Sequence, residues 1–346
     1  MCTGIFIKTK DGNYIFGRTL EFSIEISWFK YHIRDVVGTL GRISGINKAW
    51  LTDGLNKSGL MVATFFYPKD FEYSNKDIPG KQTIENLDVN LYLLHNCKTV
   101  EDIIRLAPTL NVHTTKVGDQ PLSVHWIACD KKGKCVVLEV NNKILTVYKN
   151  PLGIFTNSPS FPKQISNLKN FSTLSNIGPD DPREGPMGTG ALGLPGDSSS
   201  MSRFVRANFF KQNLYSANTR KEGFQRVFGV LHNFDIPVGS VLNPKSKIPE
   251  VTEYTVAYSL NNFQQIYAPY GYLYRNNKPV FIDNTPVMNV PKELQSLLAL
   301  KAKKWDLLKI FLKNENINKG GRIWKRVQRK RTRRKIRKKK KHTMKK

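Results

Sequence analysis

Apolar residues cluster in short runs broken by turn signals from the start of the chain. Gly4, Ile5, Phe6 and Ile7, a turn at Lys10, Asp11, Gly12 and Asn13, then Tyr14, Ile15, Phe16 and Gly17 predict a β-hairpin. A second hairpin is expected where Trp50, Leu51 and Thr52 and the apolar run 60–66 flank Asn56, Lys57, Ser58 and Gly59, with Pro68 ending its second strand. Helical spacing follows over 84–95. Thr99, Val100, Glu101 and Asp102 then read as an N-terminal cap before Ile103, Ile104 and Leu106. Strands are expected at 124–129, 135–140, 144–148 and 153–157. Residues 174–197, rich in Gly, Pro, Ser and Asp, read as a long loop. Helices are expected at 198–216 and 222–233, and paired strands at 252–259 and 263–269. This succession predicts an α+β fold with two sheets and helices packed outside them. Over 291–314, Leu294, Leu297, Leu298, Trp305, Leu308 and Phe311 alternate with lysines. That pattern reads as a helix packed on the body or as a basic amphipathic helix on a membrane surface.

Composition narrows the classes. With 40% hydrophobic and 11% aromatic residues among 346, the chain can bury a core, which excludes a wholly disordered protein. No apolar run approaches the ~18 residues of a membrane span. The opening residues carry no secretory signal, so an intracellular location, cytoplasmic at synthesis, is expected. The four cysteines, Cys2, Cys97, Cys129 and Cys135, show no CxxC and no pairing pattern, and predict a reducing compartment. Cys129 and Cys135 flank a hairpin tip. No cysteine or histidine pair has finger-like spacing, so no metal site is expected. The net charge is +28, but positions 319–346 hold seventeen Lys and Arg and no acid, and without them +11 remains. The extreme charge is a terminal tail.

Gly188, Gly190 and Gly193 fit G-x-G-x-x-G, yet the flanks (Asp180, Asp181, Pro182 before; Leu194, Pro195, Gly196 after) lack the strand and helix a dinucleotide site needs. No GxSxG, HExxH or P-loop is present. Cys2 is the stronger lead. Once Met1 is removed, one residue carries a thiol with a free pKa of ~8.5 and an α-amine of ~8. It then holds a nucleophile and a base in fixed geometry. Arg18 returns to Cys2 across the first hairpin, where a cation favours thiolate. His125, in a Val-His-Trp strand, reads as structural.

Five segments occur in order: Met1, Cys2, Thr3, Gly4; Gly17, Arg18 with Glu21; Asp53, Gly54, Leu55, Asn56 with Gly59, Leu60; Thr156, Asn157, Ser158, Pro159; and Gly193, Leu194, Pro195, Gly196, Asp197 leading to Ser202, Arg203, Phe204. Together they closely resemble the choloylglycine hydrolase family, which holds conjugated bile salt hydrolases and penicillin V acylases. The resemblance runs from Met1 to about residue 285. It implies the four-layer αββα sandwich of the N-terminal nucleophile hydrolases, acting on a linear, non-peptide amide with no cofactor. It places the nucleophile on Cys2, the arginine beside it on Arg18, the oxyanion asparagine on Asn157 and the network-closing arginine on Arg203. The family's acid near the α-amine is normally Asp; here it is Glu21. A further position, often Asn in bile salt hydrolases and Tyr in penicillin V acylases, falls on Phe66, which offers only a backbone N–H to an oxyanion.

The expected layout is an amidase-like domain at 1–290, an amphipathic helix at 291–318 and a disordered basic tail at 319–346. The implied partner is a small N-acyl amide; a homo-oligomer is left open. Around Arg329, Lys330, Arg331, Arg333, Arg334 and Lys335 the tail self-repels and offers sequence-independent contacts to nucleic acid or another polyanion. A solubilising tail, a nuclear or virion address and an anionic membrane are the other readings. Two functions therefore stand side by side: an amidase with a tether, and a retired hydrolase fold that binds a polyanion.

Overall fold

The computed structural model describes residues 1–22, 26–33, 35–43, 49–68, 71–117, 120–178, 188, 190–269, 272–275, 278–281 and 288–289. The stretches 291–318 and 319–346, with the expected helix and tail, lie outside the described residues. So do Arg329, Lys330, Arg331, Arg333, Arg334 and Lys335.

Strands β1 (Cys2–Lys8) and β2 (Tyr14–Phe22) form the expected first hairpin. They are followed by β3 (Ile26–Ile33), β4 (Val36–Ile43), β5 (Ala49–Asn56) and β6 (Leu60–Phe66). Next come β7 (Gln82–Glu85), helices α1 (Val89–Asn96) and α2 (Val100–Leu106), and strands β8 (Leu110–His113), β9 (Thr115–Val117) and β10 (Gln120–Leu122). The middle holds β11 (Val124–Asp130), β12 (Cys135–Asn141), β13 (Ile144–Lys149), β14 (Ile154–Phe155), α3 (Phe161–Leu168), α4 (Ser200–Gln212) and α5 (Arg220–Leu231). Strands β15 (Val251–Ser259), β16 (Gln264–Pro269), β17 (Tyr272–Arg275), β18 (Lys278–Phe281) and β19 (Met288–Asn289) complete the described elements.

Two sheets dominate. One has the order β14-β1-β2-β15-β16 and the other β13-β12-β11-β6-β5-β4-β3-β19. Helices α4 and α5 cover the first, against β1, β2, β14 and β15; α1 and α2 cover the second, against β5, β6 and β11. This is the αββα sandwich. Strand alternation builds it. Along β2, Gly17 faces α5, where a Cβ would lie 2.2 Å from Val227 Cγ1, whereas Arg18 reaches the Thr64 carbonyl on the other sheet.

Several expectations need correction. Residues 84–95 are not one helix. Gln82–Glu85 is a strand, paired in parallel with β8, and a single 3₁₀ turn, Asn86–Asp88, precedes α1. Asn86 fixes that break, because its buried amide donates to Leu122 O and accepts from Thr115 N. The cysteines are not all thiols either. Cys129 and Cys135 are register partners at the base of a hairpin, with Cα atoms 4.2 Å apart, and form a disulfide. The turn between them, 130–134, puts the two side chains on the same face. Thr99 caps α2 as expected, in a capping box with Asp102. Among the described residues no helix is long and apolar enough to cross a membrane.

Candidate active site

Cys2 begins a strand that has neighbours on both sides, and only 1% of it is exposed. Antiparallel pairing sets Cys2 opposite Leu20 and Gly4 opposite Arg18, so Cys2 and Arg18 share the face between the sheets. Gly4 keeps that face open. A Cβ there would meet the Phe65 ring at 2.9 Å and the Phe16 ring at 3.1 Å. Arg18 crosses the space so left. Its Nη2 donates to Cys2 Sγ at 3.0 Å, its Nη1 to Thr64 O at 2.7 Å, and its plane lies over Phe65.

A fully buried guanidinium needs compensation. Asp53 supplies it, 3.5 Å away, and itself accepts from the hydroxyls of Tyr254 (2.7 Å) and Tyr258. Burial alone would lower the Arg18 pKa; electrostatic interactions with Cys2, Tyr254, Asp53 and Glu21 outweigh it and hold the pKa above that of a free arginine. The sulfur thus faces a permanent positive charge. Asp53 had no assigned role in the sequence, although it stands in the Asp-Gly-Leu-Asn motif. Tyr254 and Tyr258 are four apart in one strand, hence on one face, which was the legible signal.

Asn157 and Arg203 hold the backbone of the same residue. Cys2 N donates to Asn157 Oδ1 at 2.7 Å. Arg203, on α4, donates through Nη2 to Asn157 Oδ1 at 2.8 Å and through Nη1 to Thr3 Oγ1 at 2.9 Å and to the Cys2 carbonyl. Burial lowers the Arg203 pKa, against the pull of Glu21 and Cys2. Asn157 Nδ2 donates to Phe66 O at 2.8 Å. Tyr67 N–H is bonded to Ser123 O on the β11 side. By strand alternation the Phe66 N–H therefore points the other way, to the edge from which Asn157 reaches. The half-buried Phe66 ring packs near Phe22, at 6.0 Å.

Glu21 lies at the N-terminus but engages it through backbone. Residues 1 and 21 exchange hydrogen bonds, Met1 N to Glu21 O at 2.6 Å and Glu21 N to Met1 O at 2.9 Å. The Glu21 carboxyl accepts from Thr252 Oγ1 at 3.4 Å rather than from Cys2 N. Burial raises its pKa, and the N-terminal ammonium and Arg203 oppose the rise. Five sequence-derived positions, Cys2, Arg18, Asn157, Arg203 and the backbone of Phe66, thus meet in one network, and Glu21 flanks it. A cavity of about 890 Å³ between β13, α3 and α4, lined by Tyr148, Phe161, Ile165 and Phe209, contains none of them. Gly188 and Gly190 themselves carry no regular secondary structure, and α4 begins only at Ser200.

The profile of the linear amide C–N hydrolases, choloylglycine hydrolase family, matches residues 2–278. The chain is 38% identical to an uncharacterized protein of Paramecium bursaria Chlorella virus 1, over 78% of this chain and 98% of that one. It is 29% identical to a bile salt hydrolase/transferase of Clostridium perfringens, over 82% and 92% of the two chains. The crystal structure of a mutant conjugated bile acid hydrolase from the same bacterium superposes with a TM-score of 0.68 at 27% identity, covering 82% of this chain and 92% of that one.

Proposed function

Because the chain belongs to the choloylglycine hydrolase family of linear amide C–N hydrolases, we propose that it cleaves the amide of a small N-acyl compound through a thioester on Cys2. The observation that carries this reading is the grip on one residue. Sγ is held by Arg18, N by Asn157 and O by Arg203. A structural cysteine needs none of these.

Loss of Met1 converts the Cys2 amide nitrogen into an α-amine. The Sγ thiolate, facing Arg18, attacks the acyl carbon, forming C–S and moving the carbonyl electron pair onto oxygen. Asn157 Nδ2 and the Phe66 N–H are the donors to that oxyanion; one such donor is worth about 3 kcal/mol. As the oxyanion collapses, the C–N bond breaks and the α-ammonium gives its proton to the leaving amine. Water then attacks the thioester, the free α-amine takes its proton, and the acid leaves as Cys2 thiolate re-forms. In its ionised form Glu21 lies where it can favour the ammonium electrostatically. Phe66 supplies no side-chain donor, which suits a penicillin V-like site better than a bile salt-like one.

The test is amine release from a panel of N-acyl amides, including penicillin V and glycine- and taurine-conjugated bile salts. The protein used has its Met1 loss verified by intact mass. Release that disappears in Cys2→Ala is the expected result. Release that persists in Cys2→Ala sinks the thioester reading. The second reading, polyanion binding, rests on the seventeen basic residues at 319–346. It is independent of Cys2, and its test is the salt dependence of DNA or RNA association.

A further inference from the structure

A histidine and a glutamate lie buried together behind the site, outside the residues assigned above. His125 on β11 and Glu139 on β12 are both 0% exposed. His125 Nδ1 and Glu139 Oε1 are 3.2 Å apart, with one hydrogen shared between them. The other ring nitrogen, Nε2, lies 3.0 Å from the carbonyl of Thr156, the residue before Asn157. A carbonyl only accepts, so Nε2 carries hydrogen. Glu139 Oε1 also accepts from the backbone N–H of Phe161, at 2.9 Å, where α3 begins. One pair therefore holds the chain on both sides of Asn157, at Thr156 and at Phe161.

The ring is fixed as well as bonded. It stacks on Tyr67 at 4.3 Å and 14°, and packs at 4.3 Å on Phe155. Tyr67 follows Phe66, whose backbone faces Asn157 Nδ2. Burial draws the imidazole towards its neutral form, against Glu139 and the Thr156 carbonyl. For stability alone, apolar side chains of like shape serve such a place as well as or better than a buried polar pair. The bonds it makes point to another use.

We propose that His125 and Glu139 are positioning residues for amide hydrolysis, clamping the segment 156–161 so that Asn157 Nδ2 is held at the oxyanion. The proposal rests on the reading of Asn157 given above. Catalytic placement is sensitive to such support, since an error near 1 Å in a reacting geometry lowers rates by about a hundredfold. Arg18 belongs to a different strand and does not touch the pair, so the clamp acts on the oxyanion donor and not on the sulfur.

Two variants separate these effects. His125→Phe keeps an aromatic ring beside Tyr67 and Phe155 but loses both ring nitrogens; Glu139→Gln keeps an acceptor for Phe161 N–H. Three quantities are measured: steady-state hydrolysis, alkylation of Cys2 by iodoacetamide, and hydrogen exchange of the 156–161 amides. The proposal expects kcat in His125→Phe to fall about tenfold or more, with KM and Cys2 alkylation within about twofold of wild type, as loss of positioning predicts. Exchange across 156–161 should accelerate while the peptides of β1 and β2 stay unchanged. Glu139→Gln should show the same pattern more weakly, and it carries the test if His125→Phe does not fold. Equal exchange and equal kcat overturn the clamp, as does a fall in alkylation that parallels the fall in kcat. Wild-type protein that hydrolyses no amide would remove the reading of the site. The exchange comparison would then decide the clamp alone, accelerated exchange supporting it and equal exchange overturning it.

Discussion

Asn157 uses both ends of one amide, Oδ1 for Cys2 N and Arg203, and Nδ2 towards Phe66. Asn157→Asp keeps the acceptor and removes the donor. It should lower kcat by about 10² to 10³ while KM changes little, read by steady-state kinetics on the best substrate of the panel. Glu21 gives a prediction about pH. Burial raises its pKa above the ordinary 4.5, against the N-terminal ammonium and Arg203. The folded state therefore prefers the protonated acid. Its contribution is complete below pH 4.5 and is lost as pH rises through the folded value. Glu21→Gln should gain stability relative to wild type as pH rises from 4.5 to neutrality, measured by urea unfolding at each pH; a gap independent of pH contradicts this. Cys2, Arg18, Asn157 and Arg203 were legible because each sits in a short motif of unusual composition. Asp53, Tyr254 and Tyr258 were not given roles, because acids and tyrosines in strands carry no local mark of the buried cation they serve. His125 was read as structural and Glu139 was not singled out for a related reason, since their meeting depends on the register of two adjacent strands.

Helix α5 lies directly on β2 at Gly17, with Leu231 Cδ1 3.0 Å and Val227 Cγ1 2.2 Å from where a Cβ would sit. Gly17→Ala must push the helix off the strand that presents Arg18. A loss of about 1–3 kcal/mol is expected from such overpacking, read as a lower urea midpoint with an unchanged slope. The same packing explains which elements the sequence announced. β1, β2, β5, β6 and β11 to β13 were visible, because their apolar runs end in turn residues. The β3–β4 hairpin was missed, and its glycines say why. A Cβ at Gly38 would lie 2.2 Å from Asp53 O, and one at Gly41 would lie 2.8 Å from the Trp28 ring. Small residues placed for close approach break the alternation that marks a strand. In α3, Pro162 in the first turn and a mixed polar sequence hid a helix whose buried anchors are Phe161 and Gln164.

For the molecule as a whole, the charge is divided, with +11 on 1–318 and seventeen basic residues beyond. Association with DNA or RNA through the tail should weaken steeply with salt, by about 10³-fold or more between 50 and 200 mM if six or more phosphates are engaged. Truncation after Gly320 should remove it and leave amide hydrolysis intact, while Cys2→Ala should do the reverse. Binding that survives truncation assigns it to the body. The last consequence concerns timing. Cys2 lies at the first residue of an interior strand, and residues 1 and 21 are already laced together by two hydrogen bonds. An aminopeptidase needs a free, extended end, and the folded chain has none to offer. On the proposed thioester reading, trimming of Met1 is therefore expected during synthesis, before β1 folds. On the same reading, a fusion placed ahead of Met1 is expected to fold with Arg18 and Arg203 in place and to lack the free Cys2 α-amine that the proposed hydrolysis requires.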